Sequence, residues 1–250
     1  MIRIVFPCRF LAVVALAAAF PVFADDPAGA EQGDDKRQEF HLYMKGRYVY
    51  QRNCVDCHGA TGRGNGPWAE GLAVKPRNFR SGIFKFRTTA YGTLPVDGDL
   101  RRTIRSGISG TTMPIFANLQ DEEVDALVVY LKSLSRAWKD PELASQPVPQ
   151  PAVPEWFASD EERVRRSVAG GQRFAALCAG CHGAEGKGDG VAGKGLVDGW
   201  GNEIAPAVLA APHHKSGDAP SDLYRSISTG LNGTPMVGYA ETLKPEEIWE

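Results

Sequence analysis

The chain has 250 residues, 43% of them hydrophobic and 23% charged, and a formal net charge of −2. This composition is ordinary for folded globular protein, and the length leaves room for two small domains. The near-neutral balance lacks the basic footprint that nucleic-acid binding needs, so no nucleic acid is expected as a partner.

At the N-terminus Arg3 and Arg9 precede the apolar run from Phe10 to Phe20, and Val22-Phe23-Ala24 then supplies small residues at the −3 and −1 positions. This order of charged, apolar and small residues predicts a cleavable secretory signal over residues 1–24. The run is too short to span a bilayer comfortably. Cys8 lies ahead of it and would leave with the signal. No later segment is apolar enough to cross a membrane. Residues 25–37 are polar and acidic and are expected to form a disordered tail.

From Phe40 to Asn53 apolar residues recur at helical spacing and run into Cys54-Val55-Asp56-Cys57-His58. Gly-rich and Pro-rich loops follow. Asp99 to Arg105 reads as a short helix ending at Gly107. Val124, Leu127, Val128, Leu131 and Leu134 make an apolar stripe, predicting an amphipathic closing helix. Asp121, Glu122 and Glu123 sit in its first turn, where negative charge suits the helix dipole. Five prolines between Pro141 and Pro154 then predict an extended, semi-rigid spacer.

The pattern begins again after the spacer. Gly46-Arg-Tyr-Val-Tyr50 matches Gly170-Gly-Gln-Arg-Phe174, and the cysteine motif returns 124 residues on as Cys178-Ala179-Gly180-Cys181-His182. Gly62-Arg-Gly-Asn-Gly66 matches Gly186-Lys-Gly-Asp-Gly190, and Gly107-Ile-Ser-Gly-Thr-Thr-Met113 matches Gly230-Leu-Asn-Gly-Thr-Pro-Met236. This is one unit written twice, and a period this long means two domains. The boundaries read as 38–138 and 161–250, with a linker over 139–160.

C-x-x-C-H is a haem-attachment motif. On one helical turn the two thiols face the same side and can each form a thioether with a haem vinyl group, and the adjacent His is delivered to the iron. A thioredoxin-like dithiol would want a strand before it. A shared zinc site would have to pair motifs that lie in separate domains. For the second axial position, removal of the signal leaves Met44, Met113 and Met236. Met113 and Met236 stand 55 and 54 residues after His58 and His182, in matching Gly-Thr-x-Met loops, and are the candidate ligands. The rival ligands His41, His213 and His214 have no counterpart in the other copy and read as exposed loop or helix residues, with tuning or ligation of a second haem as the alternative for His213 and His214. Pro76 and Pro206 follow the two motifs in Pro-Arg-Asn-Phe and Pro-Ala-Val-Leu, and their carbonyls are candidate acceptors for the proximal His ring. Lys75, Arg77, Arg80, Lys85 and Arg87 form a basic stretch that is a propionate partner, a docking face or a solvated loop. The glycine-rich loops lack the Lys-Ser/Thr and the preceding strand of a phosphate cradle.

Each half resembles a class I cytochrome c domain: a leading helix with Gly and an aromatic (Gly46/Tyr50, Gly170/Phe174), then C-x-x-C-H, a proline loop, a Met loop and a closing helix, where Tyr130 is the aromatic at the helix crossing in the first copy. The resemblance implies an all-α chain of two tandem domains joined by the Pro-rich linker, with two haem c groups held by Cys54, Cys57, Cys178 and Cys181. Iron ligands would be His58, Met113, His182 and Met236. It implies a periplasmic electron carrier, or the haem subunit of a respiratory or dehydrogenase complex, with redox proteins as donor and acceptor. The alternative is a two-haem peroxidase-type enzyme with one open iron site. The copies differ at the end. Leu119 aligns with Leu243 and Val124 with Ile248, but counterparts of Leu127, Val128, Leu131 and Leu134 are missing before Glu250. At roughly 1.5–3 kcal/mol each, these side chains predict a chain that continues, or a second domain that leans on its cofactor or a partner.

Overall fold

The computed structural model describes residues 27–250, with side chains from Asp35 onward. The expected secretory signal over 1–24, with Cys8, lies outside the described residues. The chain divides into a short unit ending at Gln38 and a compact unit spanning Glu39 to Glu250. The helix α1 runs Pro27–Asn53, so the stretch expected to be a disordered tail is helical from Pro27. Within the compact unit follow α2 (Val55–His58), α3 (Asp97–Ser106) and α4 (Asp121–Ser133). The second copy repeats the order as α5 (Asp160–Leu177), α6 (Ala179–His182), α7 (Pro220–Thr229) and α8 (Pro245–Trp249). Among the described residues there is no strand, only isolated bridges pairing Thr89 with Pro147 and Val197 with Glu203. The fold is all-α, two cytochrome c-like domains in tandem.

Domain one closes by crossing α1 with α4. A Cβ built on Gly46 would collide with the Ala126 carbonyl, so only glycine lets the two backbones touch there. Tyr50 packs on Tyr130 with ring centroids 5.1 Å apart, and Tyr43 on Tyr130 at 5.6 Å. The predicted stripe is the core: Val124, Leu127, Val128 and Leu131 are buried with Leu100, Ile104 and Phe79, and Leu134 packs against their edge. The acidic start of α4 does more than suit the dipole, because Glu123 accepts the Gln120 N–H at 2.9 Å. Lys244 and Glu247 repeat the device at the start of α8, also at 2.9 Å.

Domain two repeats the crossing with α5 and α8. Gly170 meets the Glu250 carbonyl as Gly46 meets Ala126. No residue of α5 is fully buried. The cluster under α8 is Tyr224, Ile248 and Trp249, and the linker residues Trp156 and Phe157 complete it. Trp249 stacks on Tyr224 at 4.5 Å and meets Phe157 edge-on at 5.8 Å. Arg173 pairs with Glu247 at 3.1 Å and with Glu250 at 2.5 Å, tying α8 to α5.

The proline-rich segment expected to be extended opens with a 3-10 turn over Pro141–Leu143 and then runs without helix or strand to Pro154, and it is not free. The Leu94 N–H donates to the Leu143 carbonyl at 2.8 Å and the Val148 N–H to the Thr88 carbonyl at 2.7 Å. Gln150 reaches the Ser221 carbonyl in domain two at 2.5 Å. The linker therefore lies along both domains. Its backbone groups, which proline chemistry leaves without helix or sheet partners, find them in neighbouring loops.

Candidate haem-attachment sites

The two motifs are built alike. In each, the His N–H donates to the carbonyl of the first Cys at 2.9 Å, closing one turn that brings both sulfurs and the His to the same helix end. Gly59 and Gly183, at φ of 78° and 79°, end the turn in the left-handed region. The His58 and His182 carbonyls then accept from Gly64 and Gly188 at 2.8 and 2.7 Å. All four cysteines are free thiols and partly exposed. Burial pushes the Cys54 thiol up to about 12 and raises Cys57 and Cys178 as well. A low-pKa dithiol needs the opposite environment. Among the described residues, no three His, Cys, Asp or Glu side chains converge as a metal-holding group.

The proximal rings are oriented by carbonyls one residue beyond the expected ones. His58 Nδ1 lies 3.0 Å from the Arg77 carbonyl, and His182 Nδ1 lies 3.0 Å from the Ala207 carbonyl. Pro76 and Pro206 are not the acceptors. Their carbonyls pack instead against Gly64 and Gly188. With Nδ1 donating, Nε2 is the nitrogen left for iron. Burial holds His58 below the usual histidine range, which keeps its ring neutral and able to ligate. The His58 ring stacks on Phe79 at 4.4 Å. Leu209 takes the place of Phe79 in the second copy, since the Phe79 and Leu209 N–H groups both donate, at 2.7 Å, to the Gly62 and Gly186 carbonyls.

The methionine loops share one hydrogen-bond pattern. The Ile108 N–H donates to the Met113 carbonyl at 3.2 Å and the Leu231 N–H to the Met236 carbonyl at 2.9 Å. Thr111 and Thr234 hydroxyls accept the Met113 and Met236 N–H groups at 3.1 and 3.2 Å. The same hydroxyls donate to the Ile108 and Leu231 carbonyls at 2.8 and 2.7 Å. Gly107 and Gly230 make both loops possible, because a Cβ at either would strike the backbone around the methionine.

The rival histidines His213 and His214 bond to groups of the loop ahead of α7. His213 Nδ1 lies 2.9 Å from Asp218, while His214 lies 3.2 Å from Asp218 through Nδ1 and 3.2 Å from the Leu209 carbonyl through Nε2. His41 is exposed on α1. Of the basic stretch, Arg87 is the surprise. Only 1% of it is exposed, so it is neither a solvated loop residue nor a docking group. The indole Nε1 atoms of Trp138, Trp200 and Trp249 are buried without a hydrogen-bond partner. Thiols on one turn and an oriented neutral imidazole fit a covalently held haem.

Several of these residues carry no signal in a motif search. The Tyr50 hydroxyl donates to the Gly59 carbonyl at 2.7 Å, pinning the end of the first motif. Trp200 and Asn232 reach domain one. The one available hint was spacing: Pro76 follows His58 by 18 residues, whereas Pro206 follows His182 by 24.

Comparison with known proteins agrees with this geometry. The cytochrome c family model matches residues 43–135 and 167–250. The chain is 29% identical over 185 residues to the cbb3-type cytochrome c oxidase subunit FixP of Sinorhizobium medicae, a match that takes in 68% of this chain and 50% of that one. The chain thus spans about half the length of this curated relative. A solved structure, the Kuenenia stuttgartiensis reducing HAO-like protein complex, superposes with a TM-score of 0.73 at 38% identity, covering 82% of this chain and 91% of its own.

Proposed function

The chain belongs to the cytochrome c family, and from that premise we propose that it transfers electrons in the periplasm through two covalently attached haems, each ligated by His and Met. Haem-based electron transfer with haem c as cofactor is the function of the family. The finer assignments rest on the duplicated geometry. The observation that carries them is that both copies build the same Met loop, held by the same threonine hydroxyl, in register with an oriented His.

In this reading Cys54 and Cys57 hold the first haem and Cys178 and Cys181 the second. When bound, haem iron supplies one-electron chemistry by cycling between two oxidation states. His58 and His182 donate Nδ1 protons to Arg77 and Ala207 and present Nε2, while Met113 and Met236 provide a soft sulfur that favours the reduced state. The clustered side chains of domain one exclude water, which limits reorganisation when charge changes. Among the described residues no helix is long and apolar enough to cross a membrane. The relatives named above are an oxidase subunit and a multiprotein complex, which supports a place for this chain as the haem subunit of an oxidoreductase assembly.

The test is spectroscopic. The purified periplasmic protein is expected to contain two c-type haems per chain, low-spin in both oxidation states, with a Met–iron charge-transfer band in the oxidised form. Met113→Ala and Met236→Ala are each expected to remove about half of that band. High-spin iron and peroxide turnover in the unaltered protein would sink this reading in favour of a peroxidase-type enzyme.

A further inference from the structure

The two domains are not interchangeable beads, because each carries a segment that the other lacks. Domain two has six extra residues between its His182 and Pro206, and they form the loop bearing Asp198, Trp200 and Asn202. Domain one has seven extra residues between its proline loop and the following helix, within the stretch that holds Lys85, Arg87 and Tyr91. The two insertions meet at the seam between the domains.

Arg87 dominates that seam. Its Nη2 donates to the Thr229 carbonyl at 2.7 Å and its Nη1 to the Gly230 carbonyl at 3.1 Å, while Nε holds the Ala90 carbonyl at 3.1 Å. Thr229 is the last residue of α7 and Gly230 its C-cap. A buried cation from one domain therefore caps the negative end of a helix in the other, where orphan carbonyls and the helix dipole favour it. The Thr229 hydroxyl returns a bond to the Arg87 carbonyl at 3.2 Å. Six residues past Gly230 lies Met236.

Other contacts grip the same short loop. Asn232 accepts from the Gly92 N–H at 2.7 Å and donates to the Thr93 carbonyl at 2.9 Å. The Tyr91 hydroxyl donates to the Thr234 carbonyl at 2.7 Å. The Gly199 N–H donates to the Gly233 carbonyl at 2.8 Å, and the Trp200 ring beside it lies under the Arg77 guanidinium, 3.6 Å from the carbon to the ring centroid. Thus residues 229–234, besides the internal bonds they share with the first copy's loop, are gripped from domain one and from the insertion that domain one touches. Among the described residues no hydrogen bond reaches the corresponding stretch of domain one, residues 106–111, from domain two; its bonds run within its own loop, between Ile108 and Met113 and from Thr111 to Ile108.

We infer that Arg87 is a positioning residue for the second site, setting the Met236 loop in trans, so that the second iron's Met ligation depends on domain one while the first iron's does not depend on domain two. The inference rests on the His/Met reading of both sites. It predicts one-way coupling: changes at the seam alter the second haem and leave the first alone.

The test places Arg87→Met, which keeps the side-chain length and removes the donors, in two holoprotein backgrounds. In Met113→Ala the remaining charge-transfer band reports the second site alone, and in Met236→Ala it reports the first. Arg87→Met is expected to at least halve the band in the Met113→Ala background and shift that haem's midpoint potential downward. In the Met236→Ala background both readings are expected to stay as they were. Equal loss in both backgrounds, or no change in either, overturns the inference. If Arg87→Met fails to incorporate haem, Arg87→Lys keeps the charge with fewer donors and must give an intermediate loss confined to the Met113→Ala background; any other distribution overturns the inference. Failure of the underlying ligation reading shows separately, as Met113→Ala or Met236→Ala variants that leave the band untouched.

Discussion

Domain one and domain two start from the same plan and pack different side chains behind it. In domain one, α4 lays Val124, Leu127, Val128 and Leu131 against α1, and six residues of α4 are buried. In domain two, Ile248 and Trp249 of α8 pack with Tyr224 of α7 and with Trp156 and Phe157 from the linker. The attachment turns, by contrast, share their main bonds, from the His N–H to the first Cys carbonyl and from Gly64 or Gly188 to the His carbonyl. Geometry close to the covalent motif is set by local backbone rules, whereas the core behind it is set by whatever apolar surface the chain can bring. Domain two brings some from its linker and takes its Met-loop support from its neighbour.

The largest expected break in this comparison is at the helix crossing. Gly46→Val drives a side chain into the Ala126 backbone in the middle of α4, at a cost of about 3 kcal/mol or more. Heating while following each haem's absorbance should show the first domain's transition lost or moved far down.

Core truncations come next. Trp249→Ala should destabilise domain two by about 3–5 kcal/mol, and Leu127→Ala domain one by about 2–5 kcal/mol. Each is expected to act on its own domain's unfolding transition by denaturant titration. Trp249→Ala should also loosen the linker, since Phe157 loses its ring partner, and so raise proteolysis between residues 150 and 160. Equal protection of the linker in both variants would show that Trp156 and Phe157 do not complete the second core.

Tyr50→Phe sharpens the comparison at lower cost. It deletes a buried hydroxyl that donates to the Gly59 carbonyl, worth about 1 kcal/mol. Phe174 already lacks that hydroxyl, so the change makes domain one resemble domain two at this point. A midpoint shift of this size in domain one alone is expected in urea.

The smallest effect is on pH dependence at the seam. Burial, with Arg77 and Lys215 nearby and only Asp198 opposing them, lowers Lys85 to about 8. Between that value and the ordinary lysine range the unfolded chain binds the extra proton, so stability should rise as pH climbs from about 8 towards 10. Lys85→Met should flatten that slope, measured by urea midpoints across the interval.

Much of the site was legible before any coordinates. Cys54, Cys57, His58 and their copies are readable because covalent attachment and ligation need those atoms at a fixed spacing on one turn. Met113 and Met236 stand out as candidate ligands because duplication repeats them in matching Gly-Thr-x-Met loops. The proline carbonyls were one residue off, since spacing locates a loop and only the backbone's course decides which carbonyl faces the ring. The role of Arg87 was invisible, because its partners Thr229 and Gly230 lie more than 140 residues away.

The sequence by itself determined the duplication, the helical class, the attachment turns and the register of the core stripe in α4. These follow from local periodicity and from chemistry confined to a few neighbouring residues. The tertiary structure alone decided how the copies become unequal: linker aromatics in the second core, and a buried arginine of the first domain capping a helix of the second. Such contacts join groups far apart in the chain, and no local pattern records which carbonyls a buried cation will find when two insertions meet.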